Sequence, residues 1–140
     1  MDHINISKFI DKTIARTNNK SLNWKMMSPS TPLKPLPEEK GRIPLLSPEK
    51  LAKEYSFIAP FQTGYILLLT FQPTGMTGLL EPPDGCTLSL RVQDEKSRYS
   101  TEISNSRTDP HNASSLIRLY NLIDKDDSSL STLIDNFLNS

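Results

Sequence analysis

The chain has 140 residues, 36% of them hydrophobic, and its 16 basic and 16 acidic side chains cancel at neutral pH. That length supports one domain of ordinary size, which buries about 70% of its unfolded surface if all of it packs. The single cysteine, Cys86, excludes an intramolecular disulfide, and the two histidines, His3 and His111, make no familiar zinc-binding spacing with it.

The zero balance conceals a division. Residues 1–53 carry ten Lys and Arg against five Asp and Glu, whereas residues 54–140 carry six against eleven. A basic leader and an acidic body are expected, with the leader meeting something anionic. Composition divides the chain into a basic amphipathic arm over 1–27, a proline-rich linker over 28–47 and an α+β domain over 48–140.

Taken in order, the periodicity first predicts a helix from Ile4 to about Arg16, since Ile6, Ile10 and Ile14 recur every four residues. Lys8, Lys12, Arg16 and Lys20 keep the same spacing on a neighbouring, largely opposite stripe, and Thr17-Asn18-Asn19 ends the helix. Leu22 to Met27 forms a short apolar patch around the only tryptophan, Trp24, flanked by Lys20 and Lys25. Such an aromatic anchors in the body, meets a partner, or stacks on a base.

Six of the eleven prolines lie between Pro29 and Pro48. Each removes a backbone donor and fixes φ, so this stretch reads as an extended polyproline-II strap. Ser47-Pro48-Glu49 has the form of a helix start, with a Ser cap, Pro in the first turn and Glu at the positive dipole end, and predicts about two helical turns.

Tyr55 to Phe61 reads as an edge strand interrupted by Pro60. Gly64 to Gln72 is the strongest strand signal, apolar on both faces and therefore central in its sheet. A loop over 73–85 is punctuated by Pro82-Pro83-Asp84-Gly85. Leu88, Leu90 and Val92 alternate inward along a strand over 87–93, and a third strand over 98–103 follows a turn at Asp94 to Ser97. Beyond Asp109-Pro110 the period becomes helical. Leu116, Ile117, Tyr120 and Ile123 line one helix, and Leu130, Leu133, Ile134, Phe137 and Leu138 line a second. Their short link makes them an antiparallel hairpin covering one face of a small antiparallel sheet, an α+β body.

Catalytic chemistry has little to stand on. Asp109 and His111 with one of many serines lack a placed nucleophile, Glu81 and Asp84 are turn acids with no sign of burial, and Cys86 beside a strand suits a small core residue. Glycine loops that cradle phosphates are absent. No enzyme, cofactor or metal site is expected. The charged first twenty residues do not form a secretory leader, and no apolar run approaches the ~20 residues of a membrane helix. A cytoplasmic, intracellular setting follows, that of a host cell if the protein is viral.

One stretch resembles a known family. Tyr65-Ile66-Leu67-Leu68-Leu69 followed by Pro73, then Leu88-Ser89-Leu90-Arg91-Val92-Gln93-Asp94-Glu95-Lys96, resembles the strand pair of plant-virus movement proteins of the 30K superfamily, where a hydrophobic strand leads to an L-x-D-x-R signature. Asp94 matches outright, while Val92 and Lys96 stand in place of the leucine and arginine. The resemblance implies a β-rich core that binds single-stranded nucleic acid and membrane-associated partners, with Asp94 structural or functional.

The reading with most support is a non-enzymatic accessory protein that docks on a larger protein through its basic arm and proline strap, using Lys8, Lys12, Arg16, Lys20, Trp24 and Lys25. The alternative is a nucleic-acid-binding protein whose basic helix neutralises phosphates. A helix with cations opposite Ile and Phe also suits peripheral contact with an anionic membrane.

Overall fold

The computed structural model describes residues 3–36, 49–73, 81–125 and 128–140. Three helices, α1 (His3–Asn18), α2 (Ala113–Lys125) and α3 (Ser128–Leu138), accompany six strands: β1 (Lys25–Met26), β2 (Glu49–Leu51), β3 (Phe57–Phe61), β4 (Gly64–Pro73), β5 (Thr87–Asp94) and β6 (Thr101–Asn105). All pairings are antiparallel in the order β1-β3-β4-β5-β6, with β2 paired to the far end of β4. The α+β class and the central position of β4 follow the sequence pattern.

β4 is apolar on both faces because both are covered. Ile66 and Leu68 look toward the helices with Phe57, Ala59, Leu88 and Leu90, and there they meet Ile10 and Ile14 of α1 and Leu116, Leu119, Tyr120 and Ile123 of α2. Leu67 and Leu69 look the other way, where Met27 and Leu36 seal them with Ile58. The ring of Phe57 meets that of Tyr120 edge-on, centroids 5.6 Å apart.

Four expectations are corrected. The predicted arm is no arm, since α1 packs on α2 and the sheet with Ile10 fully buried. The predicted linker is, over its described part, a cover. The buried Gln93 amide accepts from the Lys34 N–H at 3.1 Å and donates to the Pro32 carbonyl at 2.9 Å, and the Ser100 N–H donates to Pro35. Residues 37–48 lie outside the described set.

Third, the helix predicted after Ser47 is strand β2 followed by a short 3-10 turn over Lys53–Tyr55. β2 and β3 share one edge of β4, and the gap between them is stitched by Thr70. Its carbonyl accepts from the Ala52 N–H (2.9 Å), its own N–H donates to Ser56 Oγ (2.9 Å), and its hydroxyl donates to the Tyr55 carbonyl (2.5 Å). These bonds satisfy backbone that the interruption would otherwise strand.

Fourth, the sheet is covered by α1 and α2, not by a C-terminal hairpin. The buried stripe of α2 is Leu116, Leu119, Tyr120 and Ile123, so Leu119 takes the place expected for Ile117, which is exposed. Leu133, Ile134, Phe137 and Leu138 of α3 are all exposed. The third strand runs over 101–105 rather than 98–103, with a bulge between the Leu90 and Arg91 pairings.

Candidate functional surface

The basic residues of α1 are displayed by the same packing that buries its other side. Ile10 and Ile14 point into the sheet, so Lys8 and Lys12 point to solvent. Thr13 and Thr17, buried between these stripes, return their hydroxyls to the carbonyls of Phe9 (2.8 Å) and Thr13 (2.7 Å).

The helix ends at Asn18, so Lys20 is not its fourth cation. Lys20 sits just past it with φ of 63°, its N–H donating to the Thr17 carbonyl and that of Ser21 to the Arg16 carbonyl. This is a Schellman closure with lysine where glycine is usual. Arg16 is half-buried and lays its guanidinium over the Phe61 ring, 5.1 Å from the centroid. Lys25 lies opposite Ile58 on the edge strand β1, whose register assigns it to the side of the sheet away from α1. The structure thus groups Lys8, Lys12 and Arg16 on one helix, sets Lys20 at its end, and separates Lys25.

Trp24 is half-buried on α1. It packs against the helix-side core, and its indole N–H donates to Thr17 Oγ1 at 3.0 Å. A half-buried ring with its one donor satisfied is an ordinary way for tryptophan to border a core.

A groove of about 280 Å³ opens at the end of the sheet beside this helix, its walls including Phe9, Phe61, Gly64, Ile66 and Val92. Gly64 is required there because a Cβ would stand 2.3 Å from the Gln93 carbonyl oxygen. The two-residue hairpin Gln62-Thr63 forms one wall, with Gln62 at φ 54°. Phe61 carries the Arg16 guanidinium, so one cation borders the apolar groove on its α1 side, and Lys12 follows the groove residue Phe9 by one helical turn. Asp94 lies on the opposite wall. Its carboxylate accepts from the Lys96 and Ser97 N–H groups at 2.8 and 2.6 Å and closes the β5–β6 turn, while the Lys34 ammonium donates to the carbonyls of Asp94 and Ser97.

Sequence reasoning missed Arg91, which the alternation of β5 places with Ser89 and Gln93 on the strap side. It is 1% exposed, ion-paired to Glu102 at 3.2 Å, and donates to Ser89, to Ser100 Oγ and to the Ser100 carbonyl. An arginine so thoroughly engaged is structural. The signal was its alternation with leucines in a strand adjoining a central one.

The other chemistry-bearing side chains are spread apart or occupied. Asp109 accepts from Ser104 and Asn112, and Asn112 accepts in turn from Ser7 of α1, so this acid ties the β6–α2 corner to the first helix. His111 is exposed in that corner. Burial, then Glu49 and Asp84, push the Cys86 thiol up, away from the thiolate that nucleophilic chemistry uses. Among the described residues no three His, Cys, Asp or Glu converge on a metal-sized site, and no helix is long and apolar enough to cross a membrane.

No protein-family model matches the chain, nor does any curated protein or solved structure.

Proposed function

We propose that the protein is a non-enzymatic docking module that binds an acidic, partly apolar segment of a larger protein, held between the α1 cations and the groove at the β3–β4 hairpin. The observation that carries this reading is the Arg16 guanidinium laid over Phe61, a wall of an open groove that also bears Phe9 and Val92, with Lys12 exposed one helical turn beyond Phe9. Exposed cations recruit a negatively charged chain, and an apolar slot beside them selects one that also presents a hydrophobic side chain. The described part of the proline strap takes no part, because it is spent on covering Leu67 and Leu69. Base stacking, which would favour nucleic acid, loses its best candidate in Trp24.

The test is fluorescence anisotropy of a Glu-rich peptide carrying one Phe, against a single-stranded RNA of equal charge. Reversing Lys8 and Lys12 to Glu should weaken peptide binding about tenfold, each exposed charge contributing up to ~1 kcal/mol, whereas Lys25→Glu on the other side should change it little. RNA bound more tightly than peptide, with a steep salt dependence, would replace the protein partner by nucleic acid.

A further inference from the structure

The groove beside α1 carries opposite charges at its two ends. Phe61 of β3 pairs with Gly64 of β4, and Gly64 pairs with Asp94 of β5, so the three stand in one row across the sheet. Each lies two residues from a side chain packed on the helix side, Ala59, Ile66 or Val92, and the row therefore faces α1. With strands about 4.8 Å apart, Phe61 and Asp94 are separated by roughly 10 Å, and Gly64 leaves the floor between them bare. The glycine also lets Asp94 close in, since a Cβ on Gly64 would stand 3.0 Å from that of Asp94.

Both end groups are fixed, and both keep hydrogen-bonding capacity. The Arg16 guanidinium lies over Phe61, 5.1 Å from the ring centroid, and among the described residues its N–H groups meet no acceptor. At the other end the Lys96 and Ser97 N–H groups both donate to Oδ1 of Asp94, at 2.8 and 2.6 Å, while Oδ2 accepts no hydrogen bond among the described residues. Lys34 reaches the same turn, where its ammonium is occupied by the carbonyls of Asp94 and Ser97.

We infer that the partner segment is amphoteric where it enters this groove, with a large apolar side chain on the floor, an acid toward Arg16 and a base toward Asp94. The inference rests on the docking reading above and sharpens its partner. In an extended chain every second side chain shares a face and each residue rises about 3.3 Å. An acid-x-apolar-x-base segment therefore spans roughly 13 Å, within side-chain reach of two groups about 10 Å apart. A purely acidic segment would set a carboxylate against Asp94, a like-charge contact that disfavours it. A base there gives Oδ2 a charge-assisted hydrogen bond. Acids elsewhere in the segment still meet the exposed Lys8 and Lys12, so it stays acidic overall.

The test measures, by fluorescence anisotropy on the full chain, three peptides with identical acidic flanks around Glu-x-Phe-x-Lys, Glu-x-Phe-x-Gln or Glu-x-Phe-x-Glu. The Lys peptide should bind about three- to fivefold tighter than the Gln peptide, the range of one exposed charge pair, with the Glu peptide weakest. General attraction to the α1 cations predicts the opposite order. Asp94→Asn removes the charge and keeps an oxygen on which the turn can close, so it should bind the Lys and Gln peptides equally with unchanged far-UV circular dichroism. Asp94→Ser, whose hydroxyl can also close the turn, is the second variant and should do the same. Lys and Gln peptides that bind the wild type alike overturn the inference and leave the docking reading standing. So does a Lys preference that survives in both variants, since the base would then be read elsewhere. Failure of all three peptides to bind overturns the docking reading itself, and the inference with it.

Discussion

α1 and α3 are written in the same pattern and end in opposite situations. Both carry isoleucine, leucine or phenylalanine at i, i+3, i+4 and i+8 spacing. In α1 that stripe vanishes into the core, Ile10 being 0% exposed, whereas Phe137 of α3 is 78% exposed. The difference lies in the room left on the sheet. Five strands about 4.8 Å apart span roughly 20 Å, and two helices at 8–10 Å spacing fill that width. α1 and α2 take both places, and α3 arrives at an occupied face. Amphipathicity states that a helix will bury one side, without saying against what.

The largest effect that could break this contrast is a matched pair of truncations. Ile10→Ala should cost about 2–5 kcal/mol in urea unfolding, because a buried branched side chain is lost and a cavity remains. Phe137→Ala, measured at a concentration where the chain is monomeric, should change stability by less than about 0.5 kcal/mol. Comparable losses from the two would mean that α3 is packed in solution.

Alkaline pH reports on the sealed side through Tyr120, beside the smaller contribution of the half-buried Cys86 thiol. Burial, with Asp124, Cys86 and Tyr55 adding, pushes the Tyr120 phenol far above its ordinary value of 10. The unfolded chain therefore ionises this group first, and ionisation favours unfolding. Stability should be unaffected by Tyr120 below about pH 10 and then fall by at most about 1.4 kcal/mol per pH unit. Tyr120→Phe should flatten that decline in urea titrations repeated across the alkaline range. A decline as steep in the variant as in the wild type would show that Tyr120 ionises alike in the folded and unfolded chain, leaving Cys86 as its source.

The smallest effect separates backbone from charge at the end of α1. Lys20 holds a left-handed conformation that glycine adopts without strain. Lys20→Gly should stabilise the fold by about 0.5–1 kcal/mol in thermal unfolding, while slightly weakening the acidic peptide. A destabilised variant would show that the lysine side chain contributes more than its backbone costs.

Much of this architecture was legible because it is local. β4 and β5 announced themselves through Tyr65 to Phe71 and the alternation of Leu88 and Leu90, and the cationic stripe of α1 through spacing alone. What escaped was decided by pairing. Ser47-Pro48-Glu49 has good helix-start chemistry, yet Lys50 and Leu51 lie opposite Gln72 and Phe71, and ladder bonds along the β4 edge outweigh a local cap preference. The groove at the hairpin was hidden for a similar reason. It joins Phe9 to Phe61 and Val92, residues distant in sequence whose approach requires the sheet to exist.

The amino-acid order by itself determined the α+β class, the two-sided burial of β4 and the solvent-facing cations of α1, because each is a matter of period and of side-chain chemistry within one element. Only the tertiary structure decided that Trp24 packs against the core, that Leu33 and Leu36 of the strap turn onto the sheet, that Arg91 meets Glu102, and that the described side chains of α3 are left exposed. Those outcomes turn on how much apolar surface a finished sheet offers and which segment reaches it, quantities that no single stretch of chain contains.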